Sequence, residues 1–459
     1  MAQLSFTEIL DQQRRFFSTG ATRSYAFRRK QLKILYDAMV KNEKRLADAL
    51  YADLNKSRHE SYSTEIGPVR SEIRFLLRHL REWMQPKRVP GMLFSFPSSG
   101  KIVHEPHGSV LILSAWNYPV WLLLVPAAGA ISAGNCLLLK PSELTPHTSG
   151  TLSELFTELF PPEFVTVIQG GPETSGQLLE LPPDYIFFTG STAVGKIVAQ
   201  AAAKNLVPFT LELGGKTPCV VDDTIDLHLA AKRILWGKLI CAGQVCAAPD
   251  YLLVHENVKD RLIKAFEKTI RDFFPDGVFA DTTYPCIISD RHFQRLRRLM
   301  EQGQIVLGGK WDEKKRKIEP TVIEHVNPAD AIMQEEIFGP LLPVLTFKDP
   351  GEIPTIIRRQ PHPLAIYIFS KDRKFQRRLL TEVSFGGALL NDTIEHLGNH
   401  YLPFGGLRSS GLGAYHGRFS FETFSHRKAV MSKATWPDLP YKYKPDSKIK
   451  DWVMRLFLR

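Results

Sequence analysis

"SVLILSAWNYPVWLLLVPAAGAISAGNCLLLKPSE", residues 109–143, decides the fold class. "SVLILSAW" reads as a strand, "VWLLLVPAAGAISAG" as a buried helix, and "CLLLK" as a second strand. The rhythm continues. "PHTSGTLSELFTELF" is helical, "FVTVIQG" a strand, "ETSGQLLEL" helical, "YIFFTG" a strand, "AVGKIVAQAAAK" helical and "FTLEL" a strand. Apolar strands alternating with helices predict a parallel sheet covered on both faces. Ligands bind such sheets beyond the carboxyl ends of the strands, so the polar residues just after each strand are the candidates for chemistry.

On the amino-terminal side, residues 1–84 carry apolar residues at three- and four-residue spacing, as in "EIRFLLRHLREWM", and predict helices. "QPKRVPGMLFSFPSSGKIVHEPHG" breaks that pattern and alternates like a hairpin. On the carboxyl side a second α/β stretch runs from about residue 215 to 395. Its strand candidates are "TPCVVD", "DYLLVH", "TVIEHV", "LPVLTF" and "LAIYIFS". There is neither an internal repeat nor a low-complexity segment. With 459 residues, 44% of them hydrophobic, the chain can bury the cores of roughly two to four domains.

Five scattered cysteines make no disulfide framework, and the chain opens without a charged-then-apolar leader. Both features predict a cytoplasmic protein. The longest apolar run holds two prolines and reads as a buried helix rather than a membrane span. The formal charge of +11 favours anionic company: nucleic acid, an acidic membrane surface or a phosphate-bearing cofactor. No recognised nucleic-acid motif accompanies the charge, so nucleic acid is not expected as a partner.

Five segments carry candidate chemistry. In "CAGQVCAAPDY", residues 241–251, "IDLHLAAKRILWGKLICAG" reads as a helix that Gly243 ends, which leaves Cys246 on a loop. A cysteine there is either a small core hydrophobe or a nucleophile. The spacing to Cys241 fits neither a CxxC redox pair nor a metal site, and no metal is expected. Glu212 in "LELGG" ends a strand and is either an ion-pair partner or a desolvated base. Asn117 in "SAWNYP" is either a helix cap or an oxyanion donor. "FFTGSTAVGK", residues 187–196, is a strand, a glycine turn and a helix start that would face an anion. It is not a phosphate loop of the GxxxxGK[ST] kind, because Ile197 stands where the hydroxyl belongs, nor a GxGxxG turn, because of Thr192. Lys140 of "KPSE" ends a strand, with Glu143 nearby, and is either a cofactor ligand or an ordinary solvated lysine.

Taken in order, "SAWNYP", "KPSE", "FTGSTAVG", "LELGGK", "GQVC", "EEIFGP" and "PFGG" resemble the aldehyde dehydrogenase superfamily over nearly the whole chain. "APDY" and "GAYHGRFSFETFSH" are similar to its class 3 branch. The resemblance implies a Rossmann-like parallel-sheet cofactor domain (1–84 and 105–207), a second α/β catalytic domain (208–398), a small β oligomerisation arm (85–104 and 399–440) and a basic amphipathic tail (441–459). It implies Cys246 as nucleophile, Glu212 as general base and Asn117, with the Cys246 N–H, as oxyanion donors. It implies cofactor contacts at Lys140, Glu143, Gly190, Ser191, Val194, Gly195, Glu336 and Phe338. NAD is the implied cofactor, with NADP open. The implied substrates are aromatic or medium- to long-chain aldehydes, with Tyr62, Tyr118 and Ile394 as apolar pocket residues, and the implied assembly is a homodimer. A coenzyme-A-acylating relative and a catalytically silent binding protein are the rival readings. Cys241, Val245 and Arg408 stand where relatives commonly have Asn, Thr and a small residue. In the tail, Ile449, Trp452, Val453, Leu456 and Phe457 fall on one helical face, which suits either an acidic membrane surface or a neighbouring subunit.

Overall fold

Five parallel strands form the sheet that begins at residue 109. In spatial order they are Val165–Val167, Cys136–Lys140, Ser109–Leu113, Tyr185–Gly190 and Phe209–Leu213. A short antiparallel strand, Gly411–Leu412, lies beside the last of them. This computed structural model describes residues 5–458. Residues 1–4 and 459, expected in the first domain and the tail, lie outside the described residues. The strand order reverses between Ser109–Leu113 and Tyr185–Gly190, which makes their carboxyl ends the topological switch point. Asn117 and the Gly190 turn follow those two strands directly.

Both strands after which the order reverses are almost wholly apolar and buried along their length, as a sheet covered on both faces requires. The helix Pro119–Ala133 is buried at every residue but Trp121. That is why its sequence shows no polar stripe. Helices Tyr25–Lys41 and Gly67–Trp83 pack near it, so the amino-terminal helices belong structurally to this sheet.

A second sheet has seven strands in the order Gln304–Leu307, Thr321–Glu324, Leu341–Phe347, Tyr251–His255, Pro218–Val221, Ala365–Phe369 and Gly387–Leu390. Only the first is antiparallel to its neighbour. A third sheet, antiparallel, joins Lys87–Val89, Ser98–Pro106 and Ser425–Lys433. A fourth pairs only Trp311–Asp312 with Lys317–Ile318.

The helix before the cysteine loop ends earlier than its sequence pattern predicts. It spans Leu227–Leu239, not as far as Gly243. Cys241 and Ala242 are left-handed, with φ of 48° and 50°. Two contacts explain the early stop. The Glu60 carboxylate accepts the Cys241 N–H at 2.7 Å, and Gly243 sits at φ +77° where a Cβ would come 2.3 Å from Gly339 O. The cost of left-handed non-glycine backbone is met by these tertiary contacts.

The helix that follows the Lys140 strand, Pro146–Leu159, has no side-chain cap from its own first residues. Buried Asp53, from the helix Glu43–Leu54, takes that part. It accepts the His147 and Thr148 N–H groups at 3.1 and 2.7 Å and the Thr148 hydroxyl at 2.7 Å. Asp53→Ala is expected to lower stability by about 1–3 kcal/mol, because it orphans buried donors. Urea unfolding checks this, and a change under about 0.5 kcal/mol would contradict it.

Candidate active site

Cys246 stands half-buried where two cavities meet. One, of about 260 Å³, is lined by Tyr118, Trp121, Ile394, Phe404 and Tyr415 among others and is strongly apolar. The other, of about 440 Å³, opens at the carboxyl ends of the first sheet, along the turn from Thr189 to Ala193. Asn117, Cys246, Phe404 and Tyr415 border both.

The cysteine loop is held by Gln244, whose side chain is buried and fully engaged. Its Nε2 donates to Cys241 O at 2.9 Å and Cys286 O at 3.0 Å, and its Oε1 accepts from Ile288 N at 3.0 Å. Its backbone carbonyl accepts from Asn117 Nδ2 at 2.9 Å. Asn117, one residue before the N-cap Tyr118, does not cap the helix that follows. One of its N–H groups is tied to the cysteine loop and the second remains.

Glu212 ends its strand at the wall of the second cavity, 3% exposed, with neither carboxylate oxygen hydrogen-bonded. Burial pushes it well above the usual carboxylate range. Glu336 lines the same cavity, and burial, then the charge of Asp250, raises it to about 8. Burial also raises the Cys246 thiol, with the charges of Glu336 and Glu212 adding to the effect. Burial thus favours the neutral form of the thiol and of both carboxyl groups.

The other expected residues divide in two. Gly190, Ser191, Glu336 and Phe338 line the second cavity. Ser191 caps the helix Thr192–Lys204 by accepting the Val194 N–H at 3.4 Å. Phe338 is left-handed, at φ 51°, and its ring meets Trp116 edge-on at 5.3 Å. Val194 and Gly195 lie outside the lining. Val194 is 44% exposed, and a Cβ on Gly195 would come 2.5 Å from Leu213, so this glycine packs helix on strand. Lys140 and Glu143 also lie outside the lining, paired with each other at 3.0 Å. Lys140 nevertheless ends the neighbouring strand of the same sheet edge, level with Leu113.

Of the expected apolar pocket residues, Tyr118 and Ile394 line the first cavity. Tyr62 does not: it is 44% exposed, with Arg70 over its ring at 5.8 Å. Its helical turn points it outward. Sequence reasoning passed over Trp121, Phe404, Tyr415 and His416 on the first cavity, and His292 and Arg295 on the second. The "GG" of "LELGG" held one usable signal. A Cβ on Gly214 would come 1.8 Å from Glu336 Oε2, so only glycine lets that carboxylate approach.

The second cavity suits a dinucleotide. The Ser191 turn offers backbone amides at a helix start. The buried Thr189 hydroxyl and Glu336 Oε1 have no partner among the described residues, and such atoms call for a polar ligand.

The model of the Aldehyde dehydrogenase family matches residues 5–430. A 4,4'-diaponeurosporen-aldehyde dehydrogenase of Staphylococcus aureus is 47% identical over 422 residues, covering 92% of each chain. Aldehyde dehydrogenase family 3 member B1 of Homo sapiens is 45% identical, covering 92% of this chain and 90% of the relative. Among solved structures, the substrate-bound state of Staphylococcus aureus AldH superposes with a TM-score of 0.97 at 44% identity, covering 100% of both chains. A betaine aldehyde dehydrogenase of Staphylococcus aureus in complex with NAD+ gives a TM-score of 0.85 at 27% identity, covering 96% of this chain and 89% of that one.

Alkylation of Cys246 by iodoacetamide is expected to quicken about tenfold per pH unit between about pH 7 and 9 without levelling, because the thiolate is scarce throughout. A plateau below about pH 8 in the rate profile would contradict the raised thiol pKa.

Proposed function

The chain belongs to the aldehyde dehydrogenase family, and from that premise we propose that it oxidises apolar aldehydes, aromatic or medium- to long-chain, to carboxylic acids with NAD through covalent intermediates on Cys246. The observation that carries this reading is the position of that sulfur. It borders an aromatic-walled cavity on one side and, on the other, a cleft that runs along the Gly190–Ser191 turn to Glu336 and Phe338.

Each residue's part follows from its surroundings. The aldehyde enters the apolar cavity and places its carbonyl carbon at the sulfur. Cys246 gives its proton to ionised Glu212, which releases it to water before the second step, and the sulfur attacks the carbonyl carbon as the C=O π pair moves onto oxygen, giving a thiohemiacetal. The oxygen that gains charge accepts hydrogen bonds from the free N–H of Asn117 and the Cys246 backbone N–H, each donor contributing about 3–4 kcal/mol. NAD, when bound, supplies the acceptor for the hydride, and Cys246 is left as a thioester. Glu212 takes a proton from water as its oxygen attacks that thioester. The acid departs and the thiol is restored. Because burial lifts Glu212 well above the ordinary carboxylate range, its ionised form is a strong base.

The Gly190–Ser191 turn, Glu336 and Phe338 would hold the cofactor's pyrophosphate and nicotinamide parts, and Lys140 with Glu143 would hold its adenine ribose. Val194 and Gly195 support that turn. Glu143 would repel a ribose phosphate, which favours NAD over NADP.

The remaining readings concern the protein's surroundings. We propose a homodimer joined through the antiparallel arm, where the strand Ser425–Lys433 lies at a sheet edge and Met431 is 58% exposed. The five cysteines are free thiols, which supports a cytoplasmic setting. No helix among the described residues is long and apolar enough to cross a membrane. The tail helix Lys448–Phe457 docks one edge of its apolar stripe, with Phe457 against Tyr441 at 5.4 Å. Ile449, Trp452 and Leu456 stay 50–76% exposed. We propose that this free edge rests on an acidic lipid surface.

Across a series of straight-chain aldehydes, kcat/KM is expected to rise about fourfold per added methylene until the cavity is filled, matching about 0.8 kcal/mol for each buried CH2. A flat or falling series would contradict the apolar substrate class. Cys246→Ala should form no NADH while its NAD affinity stays within about threefold of wild type; residual turnover would remove the sulfur from the mechanism. Vesicles rich in phosphatidylserine should sediment the full chain and not a chain ending at residue 440. Equal sedimentation of the two would refute the lipid contact.

A further inference from the structure

Lys56 and Glu65 form an ion pair at 2.7 Å with both side chains fully buried. Such a pair is rarely the most stable way to fill a core, since apolar residues of similar volume commonly do as well or better. Its other contacts indicate what it does. Lys56 Nζ donates to Asn117 O at 2.7 Å and sits 3.8 Å over the Tyr118 ring. Glu65 Oε2 accepts the Val120 N–H at 2.8 Å. The pair thus grips both ends of the turn that carries Asn117.

The first turn of the helix Pro119–Ala133 needs a cap, and its N-cap residue, Tyr118, supplies no side-chain bond. Here Glu65, from a separate segment, takes the Val120 donor, and the helix has no cap from its own flank. With its backbone carbonyl held by Lys56, Asn117 turns its amide to the cysteine loop. The same segment reaches the other side of the site, where Glu60 holds the Cys241 N–H at 2.7 Å. Glu65 itself lies in a π-helical turn, Tyr62–Ile66, that follows the short helix Arg58–Ser61 carrying Glu60, and such turns are frequent at functional sites.

We propose that Lys56 and Glu65 are positioning residues for aldehyde oxidation: by fixing the Asn117–Trp121 backbone from outside the helix, they pre-aim the Asn117 amide at the oxyanion. This rests on the reading of Asn117 as an oxyanion donor.

The test uses the full-length enzyme with NAD and one good aldehyde. Lys56→Met/Glu65→Gln removes the pair without leaving a lone buried charge and keeps an acceptor for Val120. Its kcat is expected to fall about ten- to a hundredfold, the size of effect that a misplaced group produces. NAD affinity and the rate of Cys246 alkylation by iodoacetamide, which needs no oxyanion donor, should stay within about threefold. In an Asn117→Ala background the same replacement should cost less than about threefold, because two changes acting through one group are not additive.

The proposal is overturned by a folded double replacement with wild-type kcat, by a full independent loss in the Asn117→Ala background, or by equal losses in alkylation and NAD binding. An Asn117→Ala enzyme with wild-type kcat would instead fell the oxyanion reading itself. Should the double replacement fail to fold, Lys56→Gln/Glu65→Gln, which also leaves no lone charge and keeps an acceptor for Val120, is held to the same comparisons.

Discussion

One buried hydrogen bond, 2.9 Å from Asn117 Nδ2 to Gln244 O, ties the carboxyl edge of the first sheet to the loop that leads into the second. Everything at the site is placed relative to it. Asn117 comes from the end of the central strand, Gln244 from two residues before the cysteine, and Cys246 is delivered between the two cavities as a result. Gln244 tolerates no slack, because its side-chain groups are already bonded to Cys241, Cys286 and Ile288. Loosening any of these would leave a buried polar group unpaired, which costs about 1–3 kcal/mol.

The second constraint is electrostatic. Glu212, Glu336 and Cys246 border one cleft, and burial disfavours the charged form of each. Groups that repel one another's charge cannot all ionise together. Burial thus favours the neutral form of all three, and the charges of Glu336 and Glu212 add to that effect on the thiol. The apolar first cavity reinforces this by keeping the substrate side dry, which strengthens any hydrogen bond made to a developing oxyanion.

The fold was legible because both sheets announce themselves locally. Buried parallel strands read as apolar runs, and "SVLIL", "CLLLK" and "YIFFTG" are strands throughout most of their length. The polar residues after those strands, Asn117 and Gly190–Ser191, could be picked out because the switch-point rule applies to any such sheet. Tertiary effects were not legible. "LHLAAKRILWGKL" continues into "ICA" with Gly243 as its first evident stop, yet the helix ends at Leu239, where the Glu60 carboxylate takes the Cys241 N–H. Lys56 and Glu65 look like solvated helix charges, nine residues apart among other polar residues. No local pattern shows that they meet in the core. Tyr62 has the composition of a pocket residue but lies on the outward side of its turn. The tail stripe was visible as a stripe, whereas its division into a docked edge and a free edge depends on Tyr441.

The central claim is a covalent bond between the Cys246 sulfur and the carbon of the aldehyde. It is tested most directly by slowing the final hydrolysis. Glu212→Gln enzyme would be mixed with NAD and an aldehyde, quenched in acid within the first turnover and digested for peptide mass spectrometry. The account predicts that the peptide holding Cys246 gains the mass of the acyl group, one acyl per sulfur, as one equivalent of NADH appears. An NADH burst with an unmodified Cys246, or an acyl group found on Cys241 or another cysteine, would contradict it.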